Sequence, residues 1–176
     1  MIHLKVFLIF IGFIICLPSF ADDKSLIFTV DMTKLLKLTD PGRKIISENN
    51  NSRKRLQKEN DTLESKLLFE EKTLSNLRKT LAVEEFRKRA IAFDEKVIAI
   101  RKEQARKEKI LNDEIRKQEA IFFKAIYPLL YAILTDRGGV ILLDQANVVL
   151  WDSSVDITTH AIDVINRDFG NSIDNK

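Results

Sequence analysis

Between Gly42 and Pro128 lie 85 residues, 43–127, that contain neither glycine nor proline. These two residue types are the strongest breakers of a helical backbone, one through its lack of a Cβ and the other through its missing N–H. A run this long without them, rich in Lys, Arg and Glu, predicts long and nearly uninterrupted helix. Laid out straight it would extend about 130 Å at about 1.5 Å per residue. A rod one helix thick encloses no pocket for chemistry, so the segment points to a mechanical or binding role.

The spacing of apolar residues says how such a rod folds. Leu56, Asn60, Leu63, Leu67, Glu70, Leu74, Leu77 and Leu81 step alternately by four and three, which is the a/d seam of a coiled coil. Asn60 and Glu70 interrupt that seam with polar groups. A second register runs through Phe86, Ala90, Phe93, Val97 and Ile100, slips by about one residue near Gln104 as a stutter would, and resumes at Leu111, Ile115 and Phe122. The step of five from Leu81 to Phe86 predicts a reversal, with a hairpin tip near residues 80–83. Glu84 and Glu85 then fall in the first turn of a returning helix, where negative charge suits the dipole. The reading is a helical hairpin arm over 43–124, its two limbs roughly 55 and 75 Å long. The returning helix ends in residues 121–134 (IFFKAIYPLLYAIL), apolar on every side and therefore expected to be buried, with Pro128 kinking it or removing one hydrogen bond.

Short β-like pieces flank the arm. Residues 25–31 (SLIFTVD) read as a strand with Ile27, Phe28 and Val30 as its apolar content, followed by a helical turn or two and a break at Asp40-Pro41-Gly42. After Arg137-Gly138-Gly139, the segments VILLD and VVLW read as two strands joined by a short turn at residues 145–147. Asp156-Ile157-Thr158-Thr159 caps a final amphipathic helix. Residues 22–42 and 125–176 thus form a β-rich body, small for a core of its own. Its strands are too apolar for one face to stay in water, which predicts a homo-oligomer, with Ile27, Val30, Ile141, Leu143, Val149 and Trp151 as candidate contacts between copies.

The first 21 residues read as a secretory signal peptide. Lys5 closes a basic start, residues 6–17 are an apolar run too short to span a bilayer, and Ser19-Phe20-Ala21 suits cleavage. A membrane anchor or a lipoprotein site at Cys16 fits less well. Cys16 is the only cysteine, so the exported chain is expected to hold together without disulfides. Charge is unevenly spread. Residues 43–124 carry 22 Lys and Arg against 15 Asp and Glu, while the rest of the mature chain carries 6 against 11. A basic arm on an acidic base attracts acidic partners over about a Debye length.

Candidate chemistry is sparse. His160 is the only histidine of the mature chain and has no second His or Cys near it in sequence. Ser153-Ser154 with Asp152 and Asp156 reads as a turn and a cap, and Gly138-Gly139 lacks the surroundings of a phosphate loop. No cofactor, no metal and no enzyme are expected. The basic triplets Arg53-Lys54-Arg55 and Arg87-Lys88-Arg89 read either as a solvated, salt-laced helix surface or as a binding surface. Phe69, Ile91 and Ile98 lie off the seam, where they either fill a wider arm or stay accessible to a client.

The order of these elements resembles the Skp (OmpH-like) family of periplasmic chaperones. IFTVDM at 27–32, GVILLD at 139–144 and Asp156-Ile157-Thr158 carry the resemblance around the charged hairpin. It implies an α+β fold, with a small β-rich trimerisation body and one long coiled-coil hairpin, or tentacle, per protomer. It also implies a homotrimer that holds unfolded outer-membrane β-barrel proteins in the periplasm without ATP. The alternatives are a structural coiled-coil spacer of the cell envelope, or a protein that binds lipopolysaccharide or an anionic membrane surface. Export argues against nucleic acid as a physiological ligand.

Overall fold

The computed structural model describes residues 26–171, so the signal-peptide reading of residues 1–21 lies outside the described residues. Strand β1 (Leu26–Val30) leads into helix α1 (Met32–Leu38), then α2 (Asp40–Leu77), α3 (Val83–Asp136), strand β2 (Gly139–Asp144) and helix α4 (Thr158–Asn171). At 38 and 54 residues, α2 and α3 are about 57 and 81 Å long. They pack against each other as an antiparallel pair, and the chain reverses through residues 78–82. The turn needs no glycine, because the Leu77 carbonyl accepts from the N–H groups of Thr80 and Leu81, both at 3.0 Å, and from the Thr80 hydroxyl at 3.2 Å.

β1 and β2 run parallel, with Ile27 beside Ile141 and Thr29 beside Leu143. Parallel neighbours need a long crossover, and here the whole arm is that crossover. On the other side of β1, Thr29 bridges to Asp156, and the Ile157 N–H donates to the Thr29 carbonyl at 2.9 Å. One hydrophobic cluster gathers Phe28, Val30 and Leu35 with Phe122, Ile126, Leu130, Ile133 and Leu134 of α3 and with Ile157, Ala161 and Ile165 at the start of α4. Burying each large side chain contributes about 1.5–3 kcal/mol. The core thus clamps the root of the returning helix between the sheet and α4.

Three small residues set the geometry. Thr39 is fully buried between α1 and α2, where its hydroxyl donates to the Leu35 carbonyl at 2.7 Å and accepts the Gly42 N–H at 3.3 Å. A Cβ on Gly42 would run into the Leu36 carbonyl, so this corner closes only on glycine. Gly138, at φ 69°, ends α3 in the left-handed region that side chains avoid.

The structure corrects two expectations. Residues 148–151 form no strand and no hairpin with β2. After β2 the Asp144 carboxylate accepts the Ala146 N–H at 3.1 Å and starts a 3-10 turn over Gln145–Asn147. The buried Gln145 side chain, hydrogen-bonded to Thr29 Oγ1 at 3.3 Å, anchors that turn, and the chain leaves the sheet there. Residues 121–134 are also covered on one face only. Phe122, Ile126, Leu130, Ile133 and Leu134 are buried, while Ile121, Tyr127 and Tyr131 remain more than half exposed. α3 runs on through Pro128, which lies on the exposed side.

Candidate functional site: the helical arm

The seam of the arm is visible as its half-buried positions. On α2 these are Leu56, Asn60, Leu63, Leu67, Glu70, Leu74 and Leu77, continuing to Leu81 in the turn. On α3 they are Phe86, Ala90, Phe93, Val97, Ile100, Gln104, Lys107 and Leu111, an unbroken four-three alternation. The expected slip near Gln104 is therefore absent. Gln104 and Lys107 are polar, which hid them from a pattern read from apolar residues, but they hold seam positions. The added step falls after Leu111, where Ile115, Glu119 and Phe122 follow at intervals of four, four and three.

Polar groups loosen this seam. Lys96 of α3 reaches both carboxylate oxygens of Glu70 at 2.5 and 2.7 Å, and Lys107 pairs with Glu59. These pairs are more than a third exposed, so each contributes about 0–1 kcal/mol. Asn60 has its Oδ1 covered and without a hydrogen-bond partner.

Clefts flank the seam along the arm. A cleft of about 750 Å³ is lined by Leu67, Leu68, Phe93, Val97 and Ile98, with Asp61, Glu64, Glu71, Asp94 and Arg101 at its border. A second, of about 390 Å³, lies over Phe69, Thr73, Arg89 and Lys96. Phe69 and Ile98, exposed by 72% and 66%, thus serve different clefts. Ile91 stands two helical turns before Ile98 and is half exposed. Leu68, 59% exposed, escaped the sequence reading. The pair Leu67-Leu68 carried the signal, since two adjacent leucines cannot both point into one seam.

Both basic triplets are exposed. Arg53 and Lys54 border a cleft with Glu108 and Asn112, and Arg55 donates to Ser52 Oγ at 2.8 Å. Arg89 pairs with Glu85 at 3.0 Å, one turn earlier on α3. Arg87 and Lys88 lie beside it near the turn, as do Arg78 and Lys79. On α3 the exposed Glu103 carboxyl is held below its ordinary range by the hydrogen bonds it accepts from Arg106.

In the body, Ile27, Ile141, Leu143 and Trp151 are exposed by 39–47% and Val149 by 92%, whereas Val30, at 2%, belongs to the chain's own core. Residues 152–156 form the turn and cap read from the sequence. Asp152 accepts the Ser154 N–H at 2.8 Å, and Asp156 accepts the N–H and hydroxyl of Thr158 at 2.8 and 2.5 Å. His160 is exposed on α4. Among the described residues, no three His, Cys, Asp or Glu side chains converge to hold a metal ion, and no helix is long and apolar enough to cross a membrane.

A strand, a long antiparallel helical hairpin that returns beside that strand, and a closing helix define a specific arrangement. Residues 27–165 match the family described as outer membrane protein (OmpH-like). The chain belongs to the OmpH-like family. The match runs from β1 through most of α4, so arm and body are both OmpH-like. The crystal structure of an OmpH-like protein from Caulobacter crescentus CB15, described as an outer membrane chaperone, is similar over 81% of this chain and 84% of that one, with a TM-score of 0.72 and 15% identity. At that identity the likeness is one of fold. No curated protein matches the chain.

Proposed function

We propose that this OmpH-like protein is a periplasmic chaperone of the holdase type, which binds unfolded outer-membrane β-barrel proteins between the arms of a homotrimer and needs no ATP. The observation that carries the reading is the arm itself. It is a slender hairpin whose off-seam apolar residues Leu68, Phe69, Ile91 and Ile98 stay in water among many charged groups. An unfolded barrel protein exposes alternating apolar strands that aggregate in water. Many weak contacts along such arms add up through effective concentration, and none has to be strong. The polar seam keeps the arm compliant, so clients of different sizes can fit. The name of the Caulobacter structure, an outer membrane chaperone, supports the same class of function.

Three copies are the assembly this reading requires. Support comes from the apolar surface that one chain leaves open: Ile27, Ile141, Leu143, Val149, Leu150 and Trp151 lie on or beside a sheet of only two strands among the described residues. An unpaired apolar sheet edge invites pairing with another chain. The excess of basic residues on the arm steers acidic clients toward it and would also attract lipopolysaccharide or an anionic membrane.

The test is dilution of a urea-unfolded outer-membrane barrel protein into buffer with and without the mature chain, followed by turbidity. The reading expects turbidity to be suppressed at a few-fold molar excess, and less so as salt rises. Unchanged turbidity at every ratio would defeat it.

A further inference from the structure

One face of the arm opposes the charge of the arm as a whole. Residues 43–124 carry seven more basic than acidic side chains. The cleft over Leu68 and Ile98 nevertheless has Asp61, Glu64, Glu71 and Asp94 at its border against one cation, Arg101. Elsewhere on the arm Glu59, Glu70, Glu85, Glu103 and Asp113 are each engaged in an ion pair, while other carboxylates such as Glu95 and Glu114 stand singly in solvent; what sets the cleft apart is that four acidic groups gather around one cation. Among the described residues Glu64, Glu71 and Asp94 form no ion pair, and Asp61 only accepts a neutral hydrogen bond from Gln57 at 2.7 Å. Leu67, Leu68, Phe93, Val97 and Ile98 supply the cleft's apolar lining, beside the polar Gln57 and Gln104. Asn60 also lines the cleft, and its Oδ1 lacks a donor.

We propose that this cleft binds a short polypeptide segment in which lysine or arginine alternates with apolar residues. The proposal rests on the chaperone reading, whose exposed Leu68 and Ile98 it shares, and names the kind of segment that one cleft of a single arm takes. Apolar side chains of the segment would cover Leu68 and Ile98 and release the water there. Cationic side chains lay their hydrocarbon stems along an apolar floor and put their charge at its edge, where the unpaired carboxylates stand. From Gln57 to Glu71 the cleft follows about 21 Å of helix, the length of six or seven residues of extended chain at about 3.3 Å each. An acidic segment would meet like charge along the border and be rejected.

The test uses the mature chain and a fluorescein-labelled heptapeptide of alternating leucine and lysine, with a leucine–glutamate heptapeptide beside it, read by fluorescence anisotropy without any barrel protein present. Saturable binding of the lysine peptide alone is expected. The double variant Glu64→Lys/Asp94→Lys should weaken it about tenfold, as should Leu68→Ser/Ile98→Ser. Glu95→Lys/Glu114→Lys makes the same change of net charge at exposed positions outside the clefts, and should leave binding within about twofold. Circular dichroism checks that each variant keeps its helix. Equal binding of the glutamate peptide, or equal weakening by the Glu95→Lys/Glu114→Lys control, would overturn the proposal. So would self-association that the cleft variants abolish in the absence of peptide binding, which would assign the cleft to a second copy. Because no client is present, loss of this binding leaves aggregation suppression to be judged by its own assay.

Discussion

Thr39 has no surface in water, yet its hydroxyl satisfies the end of one helix and the start of the next. Replacing a capping threonine by alanine costs about 0.5–2 kcal/mol, so Thr39→Ala should lower the urea midpoint of the body while Thr39→Ser largely restores it. Gly42→Ala should cost more, since the corner has no room for a Cβ beside the Leu36 carbonyl. Asp156 offers a pH readout. Burial pushes its carboxyl up, but the hydroxyl and N–H of Thr158, the Gln145 side chain and the Lys34 charge outweigh burial and hold it below the ordinary range. A depressed carboxyl contributes stability that is present above its unfolded value of about 3.9 and is lost as pH falls through the folded one. Thermal melts of the body should therefore fall as pH drops below about 4, and Asp156→Asn should flatten that part of the profile. The sequence marked residues 152–156 as a turn and cap because Asp, Ser and Thr favour such bonds locally. It gave no sign that Gln145 would bury its amide against Thr29, a contact across 116 positions.

The two helices of the arm were legible because a seam repeats. Apolar residues at steps of four and three marked both limbs, and polar ones at the same steps went unread, which placed the slip at Gln104 when it lies after Leu111. Asn60 was legible as a seam break, though its orphaned oxygen was not. Leaving a buried acceptor unpaired costs about 1–3 kcal/mol, so Asn60→Leu should stabilise the arm and raise hydrogen-exchange protection near residues 56–67 and 97–108. A stiffer arm should also hold clients less well, read as turbidity returning at ratios the parent chain suppresses. The segment VVLW misled for a different reason. Strand propensity describes what fits a sheet, not whether a partner strand is available, and here the 3-10 turn at Gln145–Asn147 carries the chain away from β2. Likewise, an apolar stretch with no polar face was read as wholly buried, while one chain covers only half of residues 121–134.

Across the molecule, apolar surface is left open at both ends. On the arm it is scattered among charges, as suits transient contact. In the body it is dense, with Tyr127, Tyr131, Ile141, Leu143, Val149, Leu150 and Trp151 all exposed, the kind of apolar surface that marks an interaction site. Ile141→Lys and Trp151→Ser should therefore lower the mass of the assembly, since a charge or a small hydroxyl there removes contact area without touching the chain's own core. If the arms act together, the same variants should lose aggregation suppression although each arm remains helical. The decisive quantity is the mass, by size-exclusion chromatography with multi-angle light scattering, of the mature chain alone and after mixing with an unfolded outer-membrane barrel protein. The account predicts three copies alone and a soluble complex of those three with one client. A monomer at every concentration, with the client lost to aggregate, would contradict it.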